Sequence, residues 1–252
     1  MILIDNNQVI LSSIFAQTRG KKDLDEDMVR HITLNVYRRI RNKFYGEYGE
    51  LIICQDSSNC WRKDIFPQYK AGRKKTQQKD AEEWSKIFDV LAKIRREIRE
   101  TFPYKNISIR RCEADDIIGV LAKHKSNDEK ILIVSSDKDF KQLQRYPNVK
   151  QYCLRKKEFL TCEDPEKFLY DHIMYGDSSD GIPNVMSDDN VFVDGIRQRP
   201  ISKKKLEKMY RQEEKLSVEF ESNWDRNSRL VDLDRVPEKY VKEILEAFEV
   251  SP

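Results

Sequence analysis

The sequence predicts an α/β protein: a mostly parallel central sheet flanked by helices, followed by a helical C-terminal region. Two observations carry this prediction. Short apolar runs alternate with segments of helical period through the first 165 or so residues, the pattern of strands buried on both faces. An acidic residue also stands just beyond each of the four runs.

The elements read in order as follows. Ile2–Ile4 is a first strand, ending at Asp5. A helix is expected from about Asp25 to Tyr45, with Met28, Ile32, Val36 and Ile40 spaced by four. Leu51–Cys54 is the second strand and precedes Asp56. Asp80–Thr101 reads as a long helix, with Trp84, Ile87, Leu91, Ile94 and Ile98 on one stripe. Ile107–Ile109 is a third strand and Ala114–His124 a helix. Ile131–Val134 is a fourth strand, followed by a short helix near Phe140–Gln144. Beyond residue 165, helices are expected over 165–175, 203–212 and 237–248, while Asp177–Pro200 is rich in turn formers. No linker separates the two parts, so the helical part is expected to pack on the sheet. The expected division is a core over 1–165 and a helical region over 166–252.

Composition limits the function. The chain has 252 residues, 38% hydrophobic and 36% charged, the latter well above the roughly 25% typical of soluble domains. No apolar run approaches the roughly 20 residues needed to span a bilayer. The early run Val9–Ala16 is short and lacks a preceding basic segment, which argues against a signal peptide. The five cysteines form no C-x-x-C, and with three scattered histidines they make no zinc signature. Free thiols in a reducing, cytoplasmic compartment are expected.

The acids are the central feature. Asp5 and Asp56 follow the first two strands, Glu113 follows the third, and Asp115 and Asp116 open the next helix. Asp137 and Asp139 follow the fourth strand. Ligand sites of parallel α/β sheets form beyond the carboxyl ends of the strands, so these acids are expected on one rim. The helical part could add Asp177 and Asp180. Alone, each acid has a plainer reading as a helix cap or turn residue. Capping does not predict an acid after every strand, however. Up to nine carboxylates in one cleft repel unless divalent ions neutralise them. An oxygen-only ligand set suits Mg²⁺ or Mn²⁺ rather than Zn²⁺. Glu113 and Asp116, three apart, share a helix face from which Asp115 diverges, so this segment could serve two ions.

Near balance between 47 basic and 44 acidic residues hides basic clusters. One holds Arg62, Lys63, Lys70, Arg73, Lys74 and Lys75; another holds Arg197, Arg199, Lys203, Lys204, Lys205, Lys208 and Arg211; Arg155–Lys157 is a third. Each alone reads as a solvated charged face. Around an acidic metal site they fit a polyanionic phosphodiester substrate. Tyr69 beside Lys70 is an aromatic able to stack on a base.

The motifs WRKDIFPQYKAGR (61–73), CEADDIIGVLA (112–122), SSDKDFKQL (135–143) and GDSSDGIPNV (176–185) occur in this order. Together they resemble the flap endonuclease and 5′-nuclease superfamily, and within it the ribonuclease H branch of T-even-like bacteriophages. YPNVKQY (146–152), the stretch 187–205 and LVDLDRVP (230–237) resemble that branch. The resemblance implies a PIN-like nuclease core and a 5′→3′ exonuclease that also cuts 5′ flaps, with RNA-primer removal in phage replication. It implies two Mg²⁺, with Mn²⁺ able to substitute. The first would lie on Asp5, Asp56, Glu113 and Asp115, the second on Asp116, Asp137, Asp139, Asp177 and Asp180. It further implies catalytic Lys70 and Arg73 at the scissile phosphate, with Tyr69 as the neighbouring aromatic. An arch or gateway over about 62–100 would admit single-stranded 5′ ends. DNA and RNA–DNA hybrid would be held by Arg62, Tyr69, Lys74, Lys75, Arg197, Arg199 and Lys203–Lys205. A monomer is expected, working beside replication proteins such as a single-strand binding protein or clamp. The sequence departs from the family at 195–205, GIRQRPISKKK, where a second glycine is missing from the Gly-x-Gly-x-Lys hairpin. A monovalent-cation site there is therefore in doubt.

Overall fold

The computed structural model describes residues 1–18, 23–73, 80–213 and 215–250. A six-stranded sheet has the order β3-β2-β1-β4-β5-β6. The strands are β1 (Ile2–Asp5), β2 (Leu51–Cys54), β3 (Lys105–Ile107), β4 (Ile131–Val134), β5 (Val149–Cys153) and β6 (Glu158–Leu160). All neighbours pair parallel except β5 and β6. The strand order reverses between β1 and β4, and the crevice above such a switch point is where ligands bind.

Strand parity divides the core. Leu3, Ile52, Ile107, Ile131 and Ile133 face one layer; Ile2, Ile4, Ile53, Leu132 and Val134 face the other. The second layer is built from α1 (Asn6–Thr18), α2 (Glu26–Tyr48) and α4 (Ala81–Thr101). On α4 the expected stripe is buried at Ile87, Leu91, Ile94 and Ile98, with Trp84 half-buried at its start. On α2 it is displaced. Met28 is exposed, and the buried set is Val29, Thr33, Tyr37, Ile40, Phe44 and Tyr48. Tyr37 belongs to the displaced face, buried in this layer with its hydroxyl donating to Asn6 Oδ1. Asp25 caps this helix by accepting from Met28 N at 3.0 Å, a bond worth about 1 kcal/mol.

The first layer holds α5 (Ala114–Lys125), α6 (Pro165–Tyr175), α8 (Glu221–Val231) and α9 (Glu238–Val250). The C-terminal helices therefore share the core of the sheet, as expected. A satellite cluster of Met174, Val185, Leu206 and Met209 seats α7 (Lys203–Tyr210). Periodicity did not mark α1, α3 (Arg62–Ile65), β5, β6 or α8, and it placed the third strand at Ile107–Ile109, two residues beyond its position at Lys105–Ile107. Short α3 lies in the basic segment 62–75. Arg62 is buried, its Nε donating to Leu230 O at 2.8 Å. Arg62 is thus a core residue and not the DNA contact expected of it.

Residues 195–205 are tied to the turn that follows α6. Asn184 N–H donates to Gln198 Oε1 at 2.7 Å, and its side-chain amide donates to Arg199 O at 2.8 Å. Arg199 N–H donates to Ser187 Oγ at 2.9 Å. Ser202 then caps α7 by accepting from Lys205 N at 3.2 Å.

Helix α5 meets the segment after α8 at Gly119, where a Cβ would lie 2.9 Å from Leu233 Cβ and 3.3 Å from its carbonyl oxygen. Gly119→Val is expected to destabilise the protein by about 1–3 kcal/mol through overpacking, read as a lower urea midpoint. An unchanged midpoint would show that this contact is not close-packed.

Candidate metal centre

Acids from all four expected strand ends meet above the switch point. Asp5 closes β1; its Oδ1 accepts from Gln8 N at 3.3 Å and its Oδ2 from Ser135 Oγ at 2.9 Å. Asp56, beyond β2, accepts from Ala114 N at 2.7 Å and from the Asn7 side-chain amide. Asp137 follows β4 and accepts from Asp139 N at 2.9 Å. A small cavity is lined by Asp115, Asp139, Asp177 and Asp180.

The loop bearing Asp177 and Asp180 depends on Gly176. Its φ is +65°, and a Cβ there would lie 2.3 Å from Ile182 O. The tight return lets Asp177 and Ile182 exchange backbone hydrogen bonds of 2.9 and 2.8 Å. Lys70, also at positive φ, donates its N–H to Asp180 O at 2.7 Å, joining the basic segment to the acidic loop.

The acids divide into two electrostatic classes. Some are neutralised by the protein itself. Although burial pushes Glu113 up, Lys70 at 2.6 Å and Arg62 at 3.1 Å hold it down at about 2. Burial also opposes the ionisation of Asp177, but His172, Lys138 and Ser179 keep its pKa well below the carboxylate range. Asp180 pairs with Arg73 at 2.6 Å and lies 3.6 Å from Lys70. Asp116 is wholly buried, 2.8 Å from Arg62, and accepts from Trp61 Nε1 at 3.1 Å and Glu113 N at 2.8 Å.

For the others, burial and mutual repulsion outweigh the nearby cations. Burial, then the charge of Asp56, raises Asp5 from 3.8 to about 7. Burial, and next the charge of Asp5, lifts Asp115 far above its ordinary value. Asp56 rises through burial despite its bond from Ala114 N–H, with Glu113 adding repulsion. Asp139 rises to about 6, chiefly through burial and then through Asp137 and Asp177, against the pull of His172. Burial and mutual repulsion of this kind are relieved by a divalent cation, and oxygen donors of this class fit a hard one. The residues present therefore fit a metal.

Several sequence expectations change here. Asp116 does not open to the rim; its oxygens hold Arg62, Trp61 and the start of α5, which removes it from the ligands of the second ion. Tyr69 is buried rather than free to stack on a base. Its hydroxyl donates to Glu113 at 2.9 Å and lies 3.2 Å from Asp180. Arg73, Arg197, Arg199, Lys203 and Lys204 are exposed, and Lys205 is half-buried. Lys74 and Lys75 lie outside the described residues. The sequence reading missed Ser135, Asn7, Lys138 and His172. Ser135 and Lys138 sit inside the SSDKD motif, but nothing in the spacing marked Asn7 or His172.

Ion-free protein is least stable where these acids must ionise. For carboxyls raised on folding, the favourable contribution is complete below about pH 4 and is lost as pH rises to about 7, the folded value of Asp5. Saturating Mg²⁺ is therefore expected to raise the melting temperature by on the order of 5–10 °C near pH 7.5 and by much less at pH 5. Calorimetry with Mg²⁺ and with chelator measures this. Asp115→Asn is expected to stabilise the ion-free protein at pH 7.5 and to reduce the Mg²⁺ increment. Asp116→Asn, which weakens a buried pair, is expected to cost about 3–5 kcal/mol.

The profile of the family described as 5′-3′ exonuclease, N-terminal resolvase-like domain, matches residues 1–170. Ribonuclease H of Enterobacteria phage T4 is 31% identical over 256 residues, covering 96% of this chain and 84% of that protein. A 5′-3′ exonuclease of Buchnera aphidicola subsp. Schizaphis graminum is 31% identical over 195 residues, 73% of this chain and 65% of that one. Among solved structures, a bacteriophage T5 flap endonuclease in a complex with DNA and metal ions superposes with a TM-score of 0.70 at 17% identity over 98% of both chains. T5 5′-exonuclease with bound zinc gives 0.70 at 18% identity, again over 98% of both. These two establish the fold. With two thirds of its length matched by the family profile and a relative aligned along nearly all of it, the chain belongs to the 5′-3′ exonuclease family of nucleases.

Proposed function

We propose that this nuclease is metal-dependent and hydrolyses phosphodiesters at 5′ ends and 5′ flaps of DNA and RNA–DNA hybrids. One observation carries the reading: buried carboxylates converge at the switch point and repel one another, while cations gather around them. The relatives named as ribonuclease H and flap endonuclease support the substrate class. In this reading the chain acts as a monomer in the host cytoplasm and removes RNA primers during phage replication.

Of the nine acids expected as ligands, Asp5, Asp56, Asp115, Asp137 and Asp139 would hold two Mg²⁺, with Mn²⁺ able to substitute, because Glu113, Asp177 and Asp180 are already paired with Lys70, Lys138 and Arg73. When bound, such ions offset charge on the scissile phosphate and lower the pKa of a coordinated water. The protein's own groups do the rest. Arg73, half-exposed and paired with Asp180, can turn its guanidinium to a phosphate. Lys70, held by Glu113, supplies a second fixed positive charge beside the cluster. Tyr69 orients both Glu113 and Asp180. Hydrolysis leaves a 5′-phosphate and a 3′-hydroxyl. The gateway for a single-stranded 5′ end would lie within about 62–100, of which 74–79 fall outside the described residues and α4 packs on the sheet, and 166–252 would carry the duplex on Arg197, Arg199, Lys203, Lys204 and Lys205.

The test is product mapping on a 5′-labelled flap and on a nicked RNA–DNA hybrid, with Mg²⁺ and with chelator. Short 5′ products that vanish with chelator are expected. Asp115→Asn is expected to abolish cutting while DNA binding persists, and Lys70→Ala to slow cutting about 10²–10³-fold. Preferential cutting of single-stranded RNA would instead favour a PIN-type ribonuclease. Metal-independent DNA binding without any cutting would indicate a silent binding module.

A further inference from the structure

On the α6 side of the rim, Asp139, His172 and Asp177 bring one ligand atom each within 4.8 Å of one another. The His172 side chain is only 5% exposed. Its Nε2 lies 3.2 Å from Asp177 Oδ2. Its Nδ1 has no hydrogen-bond partner and stands 3.5 Å from Asp139 Oδ1, a buried oxygen that also has none.

Asp177 is otherwise fully engaged. Its Oδ1 accepts from Ser179 N at 2.8 Å and Ser179 Oγ at 2.6 Å, and its Oδ2 pairs with Lys138 at 2.8 Å. It is therefore a poor metal ligand and a good anchor. With Nε2 turned to Asp177, Nδ1 faces Asp139 Oδ1, and neither buried atom has a hydrogen-bond partner, an arrangement that a shared cation completes. A carboxylate holding the far nitrogen of a metal-binding histidine is a recurrent support for such ligands.

We infer that His172 Nδ1 is a direct ligand of the ion held by Asp139, with Asp177 as the residue that orients the imidazole. The second ion site is thus a mixed nitrogen and oxygen site. An imidazole nitrogen adds more to the binding of first-row transition ions than to that of Mg²⁺, and Mn²⁺, the weakest of that series, is the mildest case. This inference rests on the reading of the rim as a metal centre.

The experiment is pulsed EPR of the full chain loaded with two equivalents of Mn²⁺, with calorimetric titration of Mn²⁺ and Mg²⁺. The wild type is expected to show nitrogen modulation from a coordinated imidazole, altered when histidine is ¹⁵N-labelled. His172→Gln is expected to lose that modulation and to lower Mn²⁺ affinity about 10–100-fold, with a smaller change for Mg²⁺. His31 and His124 are exposed and remain in that variant, so they serve as internal controls. Bound Mn²⁺ without nitrogen modulation overturns the inference and leaves the metal centre standing; it is the result expected if an imidazolium bridges the two carboxylates. Modulation that persists in His172→Gln also overturns it. Absence of any Mn²⁺ binding overturns both readings. The wild-type measurement stands even if the variant does not fold.

Discussion

Repulsion between buried carboxylates at the ends of parallel strands is the constraint from which the rest of the site follows. A parallel sheet aims its strand ends in one direction, so Asp5, Asp56 and the residues beyond β4 arrive at the same level. Burial then makes every added negative charge costly. The chain meets this in two ways. Around Glu113, Asp116 and Asp180 it provides Arg62, Lys70 and Arg73. Around Asp5, Asp115 and Asp139 it provides few donors, and their carboxyls rise. The first group builds a wall and the second leaves room for a cation.

The wall explains why much of the basic segment at 62–73 is structural. Arg62 spans α5 and α8, contacting Glu113, Asp116 and Leu230 O. Tyr69 and Lys70 reach the same Glu113. Removing one member of so dense a buried network leaves the others unpaired, which is costlier than the loss of a single contact. The helical region shares this network through Leu230 and Asp180, so it cannot separate from the sheet without exposing charge.

The layout of strands and acids was legible because both obey short-range rules: apolar runs mark strands, and parallel strands have a common end. Helix α4 was legible for the same reason, its stripe at Ile87, Leu91, Ile94 and Ile98 being regular. Strand β5 was not, since Val149–Cys153 interleaves Lys150 and Gln151 with its apolar residues. The buried face of α2 includes Tyr37, an amphipathic side chain whose hydroxyl meets Asn6, and its spacing with Val29, Thr33 and Ile40 is hidden by the polar members. The sequence marked Arg62, Tyr69 and Asp116 as chemical groups but could not say which way they point. A charged residue inside a basic cluster looks solvent-facing until its partners, 51 and 168 positions away, are brought alongside. His172 was invisible for a related reason, because a lone histidine on a helix acquires meaning only from Asp139 and Asp177.

The tether between Asn184, Gln198, Ser187 and Arg199 has a mechanical consequence. It joins the turn after the acidic loop to the segment of the exposed arginines by three hydrogen bonds, each between a side chain and a backbone group. The acidic loop and the arginine-bearing segment therefore behave as two jaws of one caliper. The reach from Arg197 and Arg199 to Asp177 is thus a fixed length, set by the chain itself.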